Sequence, residues 1–157
     1  MYEMDSGLKA GDLAPDFSLG DSLGDTVRLS GYRGKVNVLV AFYRGESDPY
    51  SMRWLSELSS DYLQIRGLDT EVLAISGDDE RTALDTGGRY GLPFRLLCDP
   101  GCRVAREYGV FDSFTNTPAC AAFVVDRAGK IRYRYVSGAP PDLPPGTEII
   151  ARLRSME

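Results

Sequence analysis

The most distinct apolar pattern in the chain is an uncharged run that a helical pattern follows. Residues 36–43 are β-branched and aromatic, which is typical of a central parallel strand. From residue 50 to residue 66, apolar side chains recur at helical spacing. Asp48 is a favourable N-cap for this helix, and Pro49 fits its first position, where the N–H has no helical partner. The pattern predicts a buried strand, a short loop and a helix N-terminus, where free N–H groups favour an anion.

The remaining patterns alternate between strands and helices and predict one α/β fold. We predict a hairpin over residues 10–29, strands over 71–76, 94–98, 121–126 and 131–136, helices over 79–90, 102–108 and 147–155, and a loop over 109–119. Right-handed crossovers make the first three core strands parallel and place helices on both faces of the sheet. The expected five-stranded sheet has strand 36–43 at its centre and strands 94–98 and 131–136 at its edges.

Composition and charge exclude several classes of function. A chain of 157 residues can bury the core of one domain, and no segment has the length of a membrane span. The net charge is −5 without a basic cluster, so we expect neither nucleic acid nor a membrane as partner. Residues 1–12 are polar and lack an apolar signal core, which predicts a cytoplasmic protein. A homodimer is compatible with the sequence. The sequence does not identify a small-molecule or protein partner.

The three cysteines do not indicate a cofactor or a secreted disulfide framework. The chain has no histidine, so a zinc site would need Cys98, Cys102, Cys120 and a carboxylate at a spacing unlike that of structural sites. We therefore expect no metal and no cofactor. The spacing of Cys98 and Cys102 allows a disulfide, but a reducing cytosol disfavours one. Both are interpreted as structural residues.

Several short motifs, each weak alone, occur in order along the chain. They are GDLAPDFSL at 11–19, FYRG at 42–45, LLCDP at 96–100, YGV at 108–110, FVVD at 123–126 and GKI at 129–131. In this combination the chain resembles the peroxiredoxin family of the alkyl hydroperoxide reductase/thiol-specific antioxidant (AhpC/TSA) type. The resemblance implies a thioredoxin-like three-layer αβα sandwich, with a mixed five-stranded sheet and an N-terminal β-hairpin, over residues 1–157 as one domain. It also implies thiol-dependent peroxide reduction as the family activity.

The positions that carry this chemistry in the family hold other residues in this chain. The resemblance implies a Cys-Pro-Tyr-Cys-like pair in the subgroup with Arg-Gly after the strand, so Asp48 and Ser51 replace both cysteines. In the wider family the first position is threonine and the second is the peroxide-attacking cysteine, and the family's arginine falls on Cys120. Related thioredoxin-like proteins have a cis-proline near that point, and the nearest proline here is Pro118. Peroxide reduction needs a thiolate that becomes a sulfenic acid, so a serine hydroxyl cannot replace the cysteine. The simplest interpretation is that Asp48 caps the helix and Ser51 fills its first turn.

The candidate site combines these degenerate positions with their predicted neighbours. Cys120 begins a strand antiparallel to the central one, so we expect it beside Ser51 at the same edge of the sheet. The helix dipole and the carboxylate of Asp48 act oppositely on its thiol, which predicts a pKa near the ordinary value of roughly 8.5. The predicted catalytic positions are Asp48, Ser51 and Cys120, and the predicted pocket residues are Tyr43, Arg44, Tyr50 and Pro118.

Three hypotheses about function follow from the substitutions. The leading one is a peroxiredoxin-like protein without peroxidase activity that serves as a binding or accessory protein; exposed apolar surface near the pocket would favour it. The second is a redox enzyme that uses Cys120, which an accessible, ionised thiol would favour. The third is a repurposed small-molecule enzyme that uses Asp48, Tyr50 or Ser51 as acid, base or hydrogen-bond donor. An enclosed pocket with a carboxylate of raised pKa would favour the third.

Overall fold

The structure is a computed structural model that describes the backbone of Tyr2–Glu3 and all of residues 7–157. The strands are β1 (Tyr2–Glu3), β2 (Ser18–Asp21), β3 (Thr26–Arg28), β4 (Asn37–Phe42), β5 (Thr70–Ser76), β6 (Arg95–Cys98), β7 (Phe111–Asp112), β8 (Thr117–Pro118), β9 (Ala121–Val125) and β10 (Ile131–Val136). The α-helices are α1 (Pro49–Gly67), α2 (Glu80–Tyr90), α3 (Arg103–Glu107) and α4 (Gly146–Ser155). Short 3-10 turns cover Leu29–Tyr32 and Pro100–Cys102.

The central sheet has the predicted strand order but two more strands than expected. The order is β10-β9-β4-β5-β6-β2-β3, with β4, β5 and β6 parallel and β9 antiparallel to β4. The prediction that strand 94–98 forms an edge is wrong, because β2 pairs with it antiparallel and Gly20 lies opposite Cys98. The hairpin thereby satisfies backbone groups of β6 that an edge strand would leave unpaired. This makes the sheet seven-stranded and leaves the fold class as predicted.

Two segments differ locally from the sequence prediction. The predicted loop 109–119 contains β7 and β8, which form a small separate sheet with β1. Strands of two residues are too short to produce a visible hydrophobic period. The predicted helix 102–108 is shorter, because Gly101 (φ 74°) and Cys102 (φ 57°) both adopt left-handed conformations that α3 cannot include.

The sheet separates two apolar cores, in agreement with the three-layer prediction. Every residue of β4 is buried. Val40 and Phe42 face the core that α3 and the N-terminal segment cover, whereas Leu39 and Ala41 face the core under α1, α2 and α4. Because both faces of β4 are buried, its sequence is a continuous apolar run without alternating polar residues.

The junction between β4 and α1 forms as the sequence predicts. Asp48 has an extended backbone (φ −95°, ψ 113°), and its side chain accepts a hydrogen bond from the N–H of Ser51. Pro49 occupies the first helical position, and the helix ends at Gly67. The cap fixes where the helix begins and holds residues 44–51 at the carboxyl end of the central strand.

Candidate functional site

The side chains of Asp48, Ser51 and Cys120 lie in a row at the start of α1. Ser51 is fully buried, and its Oγ donates to Asp48 Oδ2 over 2.7 Å. The same Oγ accepts from the backbone N–H of Arg44 over 2.9 Å and lies 3.5 Å from Cys120 Sγ. The structure therefore brings all three predicted positions together, as the antiparallel arrangement of β4 and β9 requires.

The Cys120 thiol lies in the core under α1 rather than in an open cleft. It is 3% exposed and directly precedes β9, in which Ala121 pairs with Phe42. Burial raises the pKa of the Cys120 thiol, and the carboxylate of Asp48 adds to this, while hydrogen bonds from Ser51 and from the Arg44 backbone oppose it. The expectation of an ordinary pKa is wrong, because it omitted the desolvation of the thiolate.

Arg44 reaches away from Ser51 and joins the site to the segment between β7 and β8. Its Nη1 donates to Asp112 Oδ2 over 2.9 Å and to Thr115 Oγ1 over 3.1 Å. Burial raises the pKa of Asp112, but the hydrogen bonds from Arg44 and from the Phe114 N–H, together with the charge of Arg44, outweigh burial, so this pKa is below its ordinary value. The sequence analysis missed Asp112 and Thr115, since they lie in the segment predicted as a loop. No local pattern pairs them with Arg44.

The other three predicted pocket residues have different surroundings. Tyr43 is fully buried in the core under α1, and burial raises the pKa of its hydroxyl. Tyr50 is 38% exposed on the first turn of α1. Pro118 is buried in β8 opposite Phe111, and its peptide bond is not cis. Within the part of the chain that the structure describes, none of the three hydrogen-bonds the row at Ser51.

Asp78 is a second residue that the sequence analysis missed, although it follows a buried strand. Its Oδ2 accepts from the N–H of Glu46 over 2.8 Å. Gly45 (φ 142°) permits this approach, because a Cβ there would lie 2.9 Å from Asp78 Oδ1. Burial raises the pKa of Asp78, and the nearby charges of Glu46 and Asp79 raise it further. Asp78 thus holds the loop before α1 against the start of the β5–α2 connection.

The remaining thiols are buried, and the described residues show no candidate metal centre. Cys98, Cys102 and Cys120 are free thiols. Cys98 and Cys102 belong to the two cores on opposite sides of the sheet. Burial raises the pKa of Cys98 to about 11 and also raises that of Cys102. Across residues 2–3 and 7–157, no group of three or more potential ligands is arranged to hold a metal ion. No helix in the same ranges is long and apolar enough to span a bilayer.

The fold and the site define a thioredoxin-like protein of the peroxiredoxin type. The central strand leads through a short loop into the N-terminus of the longest helix, and an antiparallel strand brings a third side chain to that point. The sequence profile of the AhpC/TSA family matches residues 10–134. This chain belongs to the AhpC/TSA family.

Curated relatives agree with this assignment. The chain is 35% identical over 133 residues to chloroplastic peroxiredoxin Q of Triticum aestivum, which covers 84% of this chain and 61% of that protein. The corresponding protein of Arabidopsis thaliana is 33% identical over the same shares. The chain thus spans about 61% of the length of these relatives.

Solved structures agree on the fold. Peroxidoxin BcpB from Mycobacterium tuberculosis superposes with a TM-score of 0.86 at 22% identity, covering 96% of this chain and 99% of that one. A peroxiredoxin-like protein from Aquifex aeolicus gives a TM-score of 0.87 at 16% identity, with coverage of 98% and 91%. At these identities the likeness establishes the fold alone.

Proposed function

We propose that this chain is an AhpC/TSA family member that does not reduce peroxide at the family site and acts as a binding or accessory protein. The observation that carries the proposal is the hydrogen bonding of Ser51. The resemblance assigns the attacking cysteine to this position, and the Ser51 Oγ here donates to Asp48 and accepts from the Arg44 N–H. A hydroxyl oxygen cannot be oxidised by peroxide as a thiolate sulfur can, so the first step of the family reaction has no atom to occur on.

Exposed aromatic side chains near this position support a binding role. Phe114 is 79% exposed and lies beside Thr115, which accepts a hydrogen bond from Arg44. Tyr50, one residue before Ser51, is 38% exposed. Large aromatic side chains contribute strongly to protein interfaces when a partner covers them.

The geometry disfavours the two alternatives. A redox enzyme working through Cys120 would need an accessible thiolate, whereas this thiol is buried and its pKa is raised. A small-molecule enzyme would need Ser51 to meet a substrate, whereas this side chain is fully buried and its hydrogen bonds, to the Arg44 N–H, Asp48 and Cys120, are all internal. Neither alternative has an observation in its favour.

The test measures hydrogen peroxide consumption with excess dithiothreitol, for the native protein and for Cys120→Ser at equal concentration. We expect both proteins to match the rate of dithiothreitol alone, because Ser51 cannot be oxidised and the Cys120 thiol is buried. Peptide mass spectrometry of the peroxide-treated protein then reports the oxidation state of each cysteine. Catalytic turnover by the native protein would overturn the proposal, and its loss in Cys120→Ser would assign that turnover to the redox alternative.

Location and assembly complete the proposal. We propose that the protein works in the cytoplasm and that it forms a homodimer. Fractionation of the source cells tests the location. Sedimentation velocity tests the assembly, and a single species with the mass of one chain at micromolar concentration would contradict the homodimer.

A further inference from the structure

A cavity of about 470 Å³ lies on the α2 side of the sheet, and Asp48, Ser51 and Cys120 are not among the residues that line it. Its walls come from four parts of the chain: the turn between β2 and β3, the end of α1 with the start of β5, the face of α2, and β6 with the segment before it. This volume is within the range of small-molecule sites. The cavity is therefore large enough for a ligand of its own.

Two adjacent glycines open the wall that α2 contributes. Gly87 and Gly88 lie inside this helix, where glycine is a weaker helix former than alanine. A Cβ at Gly88 would meet nothing within 4 Å, and one at Gly87 would meet only Leu96 Cδ1 at 3.8 Å. Packing therefore requires neither glycine, and the space that a side chain would fill belongs to the cavity.

The apolar part of the lining includes side chains that the fold leaves uncovered. Leu23 is 73% exposed and Leu84 is 52% exposed. Between them and the sheet, the rings of Tyr62 and Phe94 pack with centroids 6.0 Å apart and an interplanar angle of 56°. An apolar ligand body would cover these leucines and contact an aromatic wall.

The charged part of the lining is acidic. Three carboxylates, Asp21, Asp25 and Glu71, face one guanidinium, that of Arg95, which leaves two negative charges in excess. Arg66 lies 3.7 Å from Glu71 without lining the cavity and reduces the excess to one.

The carboxylates differ in how far their partners already satisfy them. Asp21 is buried and bonds Arg95 Nη1 over 2.6 Å, whereas Asp25 is 67% exposed in its side chain and lies 3.4 Å from the same nitrogen. Asp25 is thus the carboxylate most available to a ligand.

We propose that this cavity binds a small organic monocation, a protonated amine on an apolar body. The ammonium group pairs with Asp25, and the apolar body lies between Leu23 and Leu84 above the Tyr62–Phe94 pair. The excess negative charge of the lining would repel a ligand that carries a carboxylate. This inference does not depend on whether the chain reduces peroxide, since the two sites have different residues.

Three probes with one body and different head groups test the proposal. They are 4-phenylbutylamine, 4-phenylbutanol and 4-phenylbutyrate, titrated into the ¹⁵N-labelled full chain at pH 7. We expect the amine to shift the backbone amide signals of Leu23, Leu84 and Gly88, the alcohol to bind at least tenfold more weakly, and the acid to leave these signals unchanged. Equal affinity for amine and alcohol, or no shift at these amides with any probe, would overturn the proposal.

Two variants locate the binding. Gly88→Leu fills the cavity and should abolish amine binding while the melting temperature stays level or rises, because leucine is the better helix former. Ser56→Leu adds the same side chain at an exposed position on α1 and should leave the affinity unchanged. Asp25→Asn should weaken the amine at least fivefold and leave the alcohol within twofold. Undiminished amine binding by a folded Gly88→Leu protein would refute this placement.

Discussion

Replacement of Ser51 by alanine tests whether this buried hydroxyl, at the position that the resemblance assigns to the attacking cysteine, stabilises the fold. The change deletes one oxygen and leaves the N-cap bond from the residue-51 N–H to Asp48 in place. Two strong hydrogen bonds disappear: the backbone N–H of Arg44 loses its acceptor at 2.9 Å, and Asp48 Oδ2 loses a donor at 2.7 Å. The weaker contact with Cys120 Sγ at 3.5 Å is lost as well. Alanine is smaller than serine, so no overpacking opposes the change.

The expected loss of stability follows from these two bonds. A backbone N–H left unpaired away from water costs about 1–3 kcal/mol, whereas the half-exposed carboxylate of Asp48 regains a partner from solvent. The higher helix propensity of alanine returns about 0.5 kcal/mol or less. Ser51→Ala should therefore lower the free energy of unfolding by about 2 kcal/mol, which corresponds to a drop of roughly 4–8 °C in melting temperature for a chain of this size.

Urea unfolding followed by tryptophan fluorescence measures this difference. Trp54 is the only tryptophan of the chain and is 1% exposed under α1, so its emission reports the loss of the core next to the site. Ser56→Ala, at an exposed position on the same helix, is the matched control and should change the free energy by less than about 0.5 kcal/mol. If the two variants prove equally stable with equal m-values, the Ser51 hydroxyl does not carry the hydrogen bonds described here, and the proposed function loses its main support.

Two further predictions concern titrating groups. The reaction of the Cys120 thiol with iodoacetamide should have a midpoint above the ordinary thiol pKa of roughly 8.5, and Asp48→Asn should lower that midpoint without abolishing the effect of burial. Peptide mass spectrometry against pH measures both midpoints. An unchanged midpoint in Asp48→Asn would show that the Asp48 carboxylate does not act on Cys120. The pKa of Asp78 is raised on folding, so its contribution to stability is present at low pH and lost as pH rises through the folded pKa. Asp78→Asn keeps an acceptor for the Glu46 N–H. Its free energy of unfolding, compared with that of the native protein in urea titrations, should be higher at pH 7 than at pH 4.5. The reverse order would contradict a raised pKa of Asp78.

The part of the site that the sequence predicts depends on local or topological rules. Asp48 and Pro49 predict where the helix begins, because the N-cap hydrogen bond joins residues within four positions of one another. The position of Cys120 beside Ser51 follows from strand order, since the central strand and its antiparallel neighbour must bring opposite ends together. Neither inference needs knowledge of how deeply a side chain is buried.

The parts that the sequence does not predict depend on burial and long-range pairing. The raised pKa of Cys120 follows from desolvation, which only the packed core reveals. The ion pair of Arg44 with Asp112 joins residues 68 positions apart through a segment without hydrophobic periodicity. The cavity had one visible signal, the Gly87–Gly88 pair inside a helical pattern, since glycine weakens a helix relative to alanine.

The three substitutions at the site amount to one redistribution of charge. The resemblance to the family assigns threonine, cysteine and arginine to the positions of Asp48, Ser51 and Cys120, an arrangement that would place an anionic thiolate at the helix N-terminus beside a cation. Here the anion is the carboxylate of Asp48, the hydroxyl of Ser51 donates to it, and Cys120 supplies no cation. A cysteine restored at position 51 alone would therefore stand next to a carboxylate, which raises a thiol pKa.

This charge argument predicts an order of reactivity among restored thiols. In a Cys120→Ser background, which prevents a disulfide, Ser51→Cys should give a thiol with a higher alkylation midpoint than Asp48→Thr/Ser51→Cys, because threonine keeps the cap without the negative charge. The measurement is iodoacetamide alkylation against pH, read at the peptide that contains position 51. If the two midpoints coincide, the carboxylate of Asp48 does not act on position 51. Cysteine chemistry would then have been lost through Ser51 alone, without the accompanying change of charge.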